Sequence, residues 1–317
     1  MSFRDAHARR PEQARQRKSR VRRERVAAFG SLLVVAAIIV ALVLDSTSGS
    51  KSHPSKATAS AKRSSSSGSR ASQPVTATVP ILAYHVINVP PSGSSANPDL
   101  YVSAAAFSSQ MAALKANGWH AVTLDQVEAY WTRGASLGPG KPIVITFDNG
   151  YASQYTNAVP VLKQLGWVGV ENLQVNGLPP SDGGLTDSQI RGLISAGWEL
   201  DTQGMSHADL ITVNTSQLSY ELTTAKQTLH SQYGVPVNWF SYPFGHYDAT
   251  VIAAVRAAGY VGATTIVSGW ASAQQNRFSL PRLQVLGTTS PAQLLSQIAS
   301  AKATTTVPAS FSGPGNA

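Results

Sequence analysis

The chain has 317 residues, enough for one large domain or two small ones, with no cysteine and a net charge of +9. The lack of cysteine excludes disulfides, thiolate metal sites, a cysteine nucleophile and a lipid-modified cysteine. Residues 1–25 carry +7, residues 26–74 carry +4 and residues 75–317 carry −2. The basicity therefore sits ahead of the folded part, and no basic face for nucleic acid is expected.

Residues 26–44 form a run of 19 uncharged, mostly apolar residues. About 20 residues at 1.5 Å rise cross a bilayer core of roughly 30 Å. Arg15, Arg17, Lys18, Arg20, Arg22, Arg23 and Arg25 precede the run directly, and positive flanks stay on the cytoplasmic side. The pattern predicts a single-pass signal anchor in the cell membrane. Residues 1–25 would be a basic cytoplasmic tail and the C-terminal domain would be extracytoplasmic; a cleaved signal peptide is the competing reading. Residues 45–74, dominated by Ser, Ala and Lys, have no apolar period and read as a disordered stalk. Residues 304–317, rich in Thr, Ser, Pro and Gly, read as a flexible tail.

Residues 75–303 alternate short apolar runs with helical patterns. Strands are predicted at 79–84, 121–124, 142–147, 168–175, 198–202, 239–242, 260–266 and 283–285. Between them, helices are predicted at 103–117, 151–165 despite Pro160, 186–197 behind a Thr186/Gln189 capping box, 216–233, 248–258 and 290–301. Asp125 is read as the cap of a further short helix. Repeated strand–helix units imply a parallel sheet with helices outside, and their number over this length fits a distorted (β/α) barrel of about seven units. No Gly-rich phosphate fingerprint opens a helix.

In such a barrel, function gathers where strands end. His85 follows the first strand, Asp148, Asn149 and Gly150 follow the 142–147 strand, and Gln203 and His207 follow the 198–202 strand. Pro243, Phe244, Gly245 and His246 follow the 239–242 strand. Four strand ends thus converge on one mouth. Taken alone, Asp148 reads as a helix cap and Asn149-Gly150 as a turn.

Thr146-Phe147-Asp148-Asn149-Gly150 resembles the Thr-Phe-Asp-Asp-Gly motif of the polysaccharide deacetylase (NodB-homology, carbohydrate esterase) family. The segment Gly204 to Leu210 resembles the second half of that family's Ser-His-x-x-x-His-x-x-Leu segment. Phe240-Ser241-Tyr242-Pro243-Phe244-Gly245-His246-Tyr247 resembles its Tyr-Pro-Phe-Gly subgroup, as does Pro80-Ile81-Leu82-Ala83-Tyr84-His85. The resemblance runs in order from Val79 to Val285. It implies hydrolysis of the N-acetyl groups of amino sugars in peptidoglycan or an exopolysaccharide, with a divalent metal, often zinc, as cofactor. It implies that Asp148 is the general base. His207 matches one metal-ligand His; Asn149 stands where the ligand Asp belongs, and Gln203 where the other ligand His belongs. Ser241 replaces an Arg of the third motif, and no late Leu-x-His motif supplies a general acid, a role left to His85 or His246. Tyr242, Pro243, Phe244, Gly245 and His246 are implied to meet substrate, the Phe244 N–H at the oxyanion. Two neutral amides among three ligand positions suit zinc poorly, because zinc favours imidazole, thiolate and carboxylate. A glycan-binding module with an impaired site is therefore the alternative to an enzyme.

Overall fold

The computed structural model of the protein describes residues 77–91, 97–178, 183–302 and 306–314. The expected cytoplasmic tail, membrane anchor and stalk lie outside the described residues. Among those that are described, no helix is long and apolar enough to cross a membrane.

Among the described residues, nine strands form one curled sheet: β1 (Val79–Tyr84), β2 (Trp119–Val122), β3 (Lys141–Asn149), β4 (Val170–Leu173), β5 (Glu199–Thr202), β6 (Trp239–Ser241), β7 (Gly262–Thr264), β8 (Trp270–Ala271) and β9 (Leu283–Gln284). Their order is β7-β6-β5-β4-β3-β1-β8, with β2 beside the start of β3 and β9 beside β1. Every pairing is parallel except β1 with β8. Beyond β7, Leu280 donates its N–H to Ala263 O and accepts from Thr265 N, both at 2.9 Å, and so carries the curl toward β9. The result is an α/β curled half-barrel.

The residues explain the layers. All six residues of β1 are buried, as a strand covered on both faces requires. Side chains alternate across a strand. Ile81, Val144, Val170, Trp239 and Leu280 fill the inside of the curl. Leu82, Tyr84, Ile143, Ile145 and Phe147 face outward under the helices Ala104–Ala116, Val159–Leu165 and Pro291–Ala301. Leu200 and Phe240 do the same under the helices at Ala225–Tyr233 and Ala249–Ala257. The same alternation turns Thr146 and Asp148 inward.

Helix starts follow the sequence closely. Ser103, Thr186, Asp248 and Ser290 each accept a hydrogen bond from the third residue on. Asp125 is a correction. Thr123 caps the Leu124–Arg133 helix through a capping box with Gln126. The Asp125 carboxylate instead accepts from Asn238 Nδ2 at 2.8 Å and Trp239 Nε1 at 3.0 Å. The strand β8 was not anticipated, because two residues show no period. Residues 306–314 are also less free than their composition suggests. Tyr247 and Phe311 exchange backbone hydrogen bonds at 2.9 and 2.8 Å, and the Tyr247 hydroxyl donates to Pro308 O. One aromatic, Phe311, and a few open carbonyls suffice to dock an otherwise polar segment.

At the barrel floor, Asp201 is fully buried and Glu199 is half-buried beside Asp125. Asp201 Oδ1 accepts from the N–H groups of Asn238 and Trp239 at 2.9 and 2.8 Å, and Glu199 Oε2 accepts from Asp125 N at 2.9 Å. The remaining oxygens, Asp201 Oδ2 and Glu199 Oε1, have no donor; one proton shared between the carboxyls satisfies both. Burial pushes Asp201 up to about 7 and Glu199 well above its usual range. The folded state thus holds a proton that the unfolded state releases near pH 4, and the contribution of this pair to stability is lost as pH rises from about 4 through 7. Asp201→Asn keeps the Oδ1 acceptor and gives Glu199 a permanent donor. Thermal unfolding at pH 5 and pH 8 is expected to show a smaller pH dependence in this variant, with its Tm raised at pH 8. An unchanged pH dependence would exclude the shared proton.

Candidate functional site

The inward-turned residues at the carboxyl ends of β1, β3, β5 and β6 meet around Asp148. Its carboxylate is fully buried and lies against Arg282, also fully buried. Arg282 Nη1 donates to Asp148 Oδ1 at 2.8 Å and Nη2 to Oδ2 at 2.7 Å, a bidentate pair. The other guanidinium hydrogens reach Thr265 O at 2.8 Å, Thr146 Oγ1 at 3.0 Å and Ser241 Oγ at 3.0 Å, so all five N–H donors are used. Asn172 Nδ2 adds a bond to Asp148 Oδ1 at 2.7 Å. Burial alone would raise the Asp148 carboxyl; the charge and hydrogen bonds of Arg282, with smaller help from His85 and Asn172, hold it below the usual range. Asp148 is therefore an ionised, immobile carboxylate at neutral pH.

Sequence reasoning missed Arg282. The third motif has Ser241 in place of an Arg, and Arg282, from the segment just before β9, donates to the Ser241 Oγ. One signal was present: a lone Arg inside the apolar run Leu280-Pro281-Arg282-Leu283 is a buried charge, and a buried charge needs a partner.

Three loops present the remaining groups, and each contains a strained residue. Asn149 (φ 77°), His207 (φ 58°) and Phe244 (φ 57°) are the non-glycine residues with positive φ among those described. Such conformations cost of order 1–3 kcal/mol and gather at functional sites. Gly150 (φ 90°) follows Asn149, where an added Cβ would lie 2.5 Å from Leu173 Cδ1. Two widened π turns buttress these loops from behind. In the turn Gln154–Ala158, Gln154 Nε2 donates to His85 O at 2.8 Å and Asp148 O at 2.7 Å. The turn Tyr220–Thr224 carries the buried Glu221. π turns of this kind recur at functional sites.

The sequence-predicted residues come together only in part. Asn149, Gln203 and His207 are neighbours. Gln203 Oε1 accepts from Asn149 N at 2.9 Å, which leaves its amide nitrogen facing His207 Nε2 at 3.1 Å. The amide has the hydrogen, so His207 Nε2 is the acceptor. His207 and Phe244 meet edge to face at 4.7 Å and are partly exposed. His85 is buried beside Asp148, and burial pushes its imidazole down to about 4. It is neutral at pH 7, which makes it a weak proton donor. His246 is tied on both sides, Nδ1 to Asp209 Oδ2 at 3.0 Å and Nε2 to Gly313 O at 2.6 Å. Tyr242 is a correction. Alternation along β6 sends it outward into the helix layer, where its ring stacks on Tyr247 and its hydroxyl donates to Phe278 O at 2.8 Å. Pro243 and Gly245 are buried supports, leaving Phe244 and His246 as the partly exposed members of that motif.

The donor set does not fit zinc. The His207 Nε2 lone pair is directed at the Gln203 amide, the Gln203 oxygen is used by Asn149 N, and of these three side chains Asn149 Oδ1 alone is a buried oxygen without a partner. Among the described residues no group of three or more His, Cys, Asp or Glu could hold a metal ion. A single carbonyl oxygen and an engaged imidazole supply neither the charge nor the number of ligands of a catalytic zinc site.

Comparison with known proteins agrees on the fold and the family. The family profile for polysaccharide deacetylase matches residues 136–263. BA0330 of Bacillus anthracis, a crystal structure assigned as a polysaccharide deacetylase, is 30% identical with a TM-score of 0.63 over 70% of this chain and 69% of its own. The deacetylase PplD of Streptococcus pyogenes, solved with acetate, is 26% identical with a TM-score of 0.65 over 71% and 99% of the two chains. YxkH of Bacillus subtilis (strain 168), assigned as a polysaccharide deacetylase, is 28% identical over 66% of this chain and 72% of its own.

Proposed function

Because the chain belongs to the polysaccharide deacetylase family, we propose that it removes N-acetyl groups from the amino sugars of a cell-wall or exported polysaccharide, working outside a membrane to which residues 26–44 anchor it. The observation that carries this reading is the ionised Asp148 at the convergence of four strand ends, fixed by Arg282 and flanked by His207 and the Phe244 loop. Asp148 would accept the proton of a water as its oxygen bonds to the acetamide carbonyl carbon. The Phe244 N–H would meet the developing oxyanion, a typical device of acyl transfer. The C–N bond then breaks, the amine nitrogen takes a proton, and acetate leaves. His207 is the partly exposed imidazole best placed to pass that proton, since His246 is engaged on both sides and His85 is buried, although burial lowers the His207 imidazole as well.

A second reading rests on a separate observation. Asn149 and Gln203 are knitted to each other and to His207, and Asp148 is saturated by Arg282 and Asn172. Such a mouth suits recognition of an acetamido sugar better than rapid turnover, which describes a glycan-binding module. Incubating the full-length protein with an acetylated chitooligosaccharide separates the two. Acetate release that is lost in Asp148→Asn supports the deacetylase. Saturable binding of the oligosaccharide without acetate release, in wild type and in Asp148→Asn alike, supports the binding module and overturns the enzymatic reading.

A further inference from the structure

Glu221 lies outside every motif singled out above, yet it is fully buried and its carboxylate is aimed at the loop that carries His207. Oε2 accepts from Met205 N at 2.8 Å and from Ser206 N at 2.9 Å, and Oε1 accepts from the Ser206 hydroxyl. These are the two residues directly before His207. The loop leaves β5 through Gly204, at φ 96°, where an added Cβ would lie 2.9 Å from Glu221 Oε2. Close approach of the carboxylate therefore depends on the missing side chain. His207 itself follows in the left-handed conformation, which a residue with a Cβ adopts only when its surroundings impose it.

The helical context explains how Glu221 reaches the loop. Leu218 and Leu222 on either side pack into the core under β5 and β6. The regular helix Thr215–Ser219 widens to a π turn over Tyr220–Thr224 before Ala225–Tyr233 resumes. An extra residue in the turn lets a polar side chain enter between apolar neighbours without removing either from the core.

We propose that Glu221 is a positioning residue: its carboxylate clamps the 204–206 turn and thereby holds His207 in its strained, site-facing conformation. The clamp is a charge-assisted set of three hydrogen bonds, stronger than neutral contacts would be. It rests on the reading of His207 as a working group, but its geometry is independent of which reaction the site performs.

The test uses the full-length protein and the variants Glu221→Ala, Glu221→Gln and Ser206→Ala, with acetylated chitooligosaccharide as the probe. NMR of the His207 backbone amide and ring is read beside the Arg282 Nε–H resonance, which reports the other half of the site. In Glu221→Ala the His207 resonances are expected to move while Arg282 stays, and kcat to fall by about 10²-fold with KM unchanged, the scale attached to misplacing a group by about 1 Å. Glu221→Gln, which keeps acceptor oxygen but loses charge, is expected to recover part of both signals, and Ser206→Ala to show the smallest change. Should Glu221→Ala fail to fold, Glu221→Gln and Ser206→Ala carry the comparison. His207 resonances at their wild-type positions in the folded variants would overturn the clamp. Absence of turnover in wild type would overturn the deacetylase reading alone, because the resonances still decide the clamp.

Discussion

Arg282→Met is expected to destabilise the protein by about 3–5 kcal/mol, the scale for removing one partner of a buried ion pair. The reason is the charge left behind. Asp148 and Arg282 have essentially no exposure, so neither can recover hydration when the other is removed. The loss converts to a Tm drop of roughly 2–4 °C per kcal/mol for a domain of this size. Two controls distinguish the ion pair from mere packing. Asp148→Asn in the Arg282→Met background removes the orphaned charge and is expected to restore much of the stability. Lowering the pH is expected to do the same in the single variant. Without Arg282, burial raises the Asp148 carboxyl, the folded state binds a proton before the unfolded state does, and the penalty shrinks as pH falls. Wild type should behave oppositely. Its Asp148 is held below the usual range and His85 is pushed from 6.5 to about 4, so both contributions are present at neutral pH and are lost on acidification. Thermal unfolding of the three proteins from pH 4 to 8 decides the matter. An Arg282→Met variant within 1 kcal/mol of wild type at pH 7 would show that the pair contributes little.

The second large effect is a gain. Asn149→Asp combined with Gln203→His is expected to convert a site with little affinity for zinc into one that holds close to one equivalent. Wild type purified without chelator should carry well under one equivalent by elemental analysis. Asp tolerates the left-handed backbone of position 149 about as well as Asn. The new carboxylate replaces the Asn149 Oδ1 that now lacks a partner, and removing Gln203 frees the His207 Nε2 lone pair. Outer-shell partners alone are worth about 10–100-fold in metal affinity, and exchanging two direct donors should exceed that. The double variant also loses the hydrogen bond from Asn149 N to Gln203 and gains a buried charge, so without metal it should unfold below wild type. With zinc at 100 times its Kd it should regain about 2.7 kcal/mol by linkage. A Tm that ignores zinc in the double variant, or a wild-type protein already holding a full equivalent, would contradict the reading of the amides.

Much of this site is legible in the sequence because its residues follow strand ends. The β-branched run ending at Phe147 places Asp148, and alternation along β3 fixes the face to which it turns. The same alternation was available for Tyr242 and predicts its outward orientation, yet motif resemblance drew it into the site. Arg282, Asn172 and Glu221 are harder to read. Each lies more than 20 residues from any motif partner or outside the motifs altogether, and only the curl of the sheet brings it near. The π turns leave a faint trace: Pro160 lacks the N–H of a regular ladder, and just before it the Val159 N–H reaches back five residues to Gln154 O. The barrel-floor carboxyls show nothing in sequence, since alternating Glu199 and Asp201 look like a solvated edge.

The docking of Phe311 and Gly313 against Tyr247 and His246 has a practical side. A hexahistidine handle fused beyond Gly313 would deliver a string of imidazoles to the rim of a mouth that is poor in metal donors. Nickel or zinc recovered with such a preparation would report the handle, so purification through the opposite terminus is the sounder basis for metal counting.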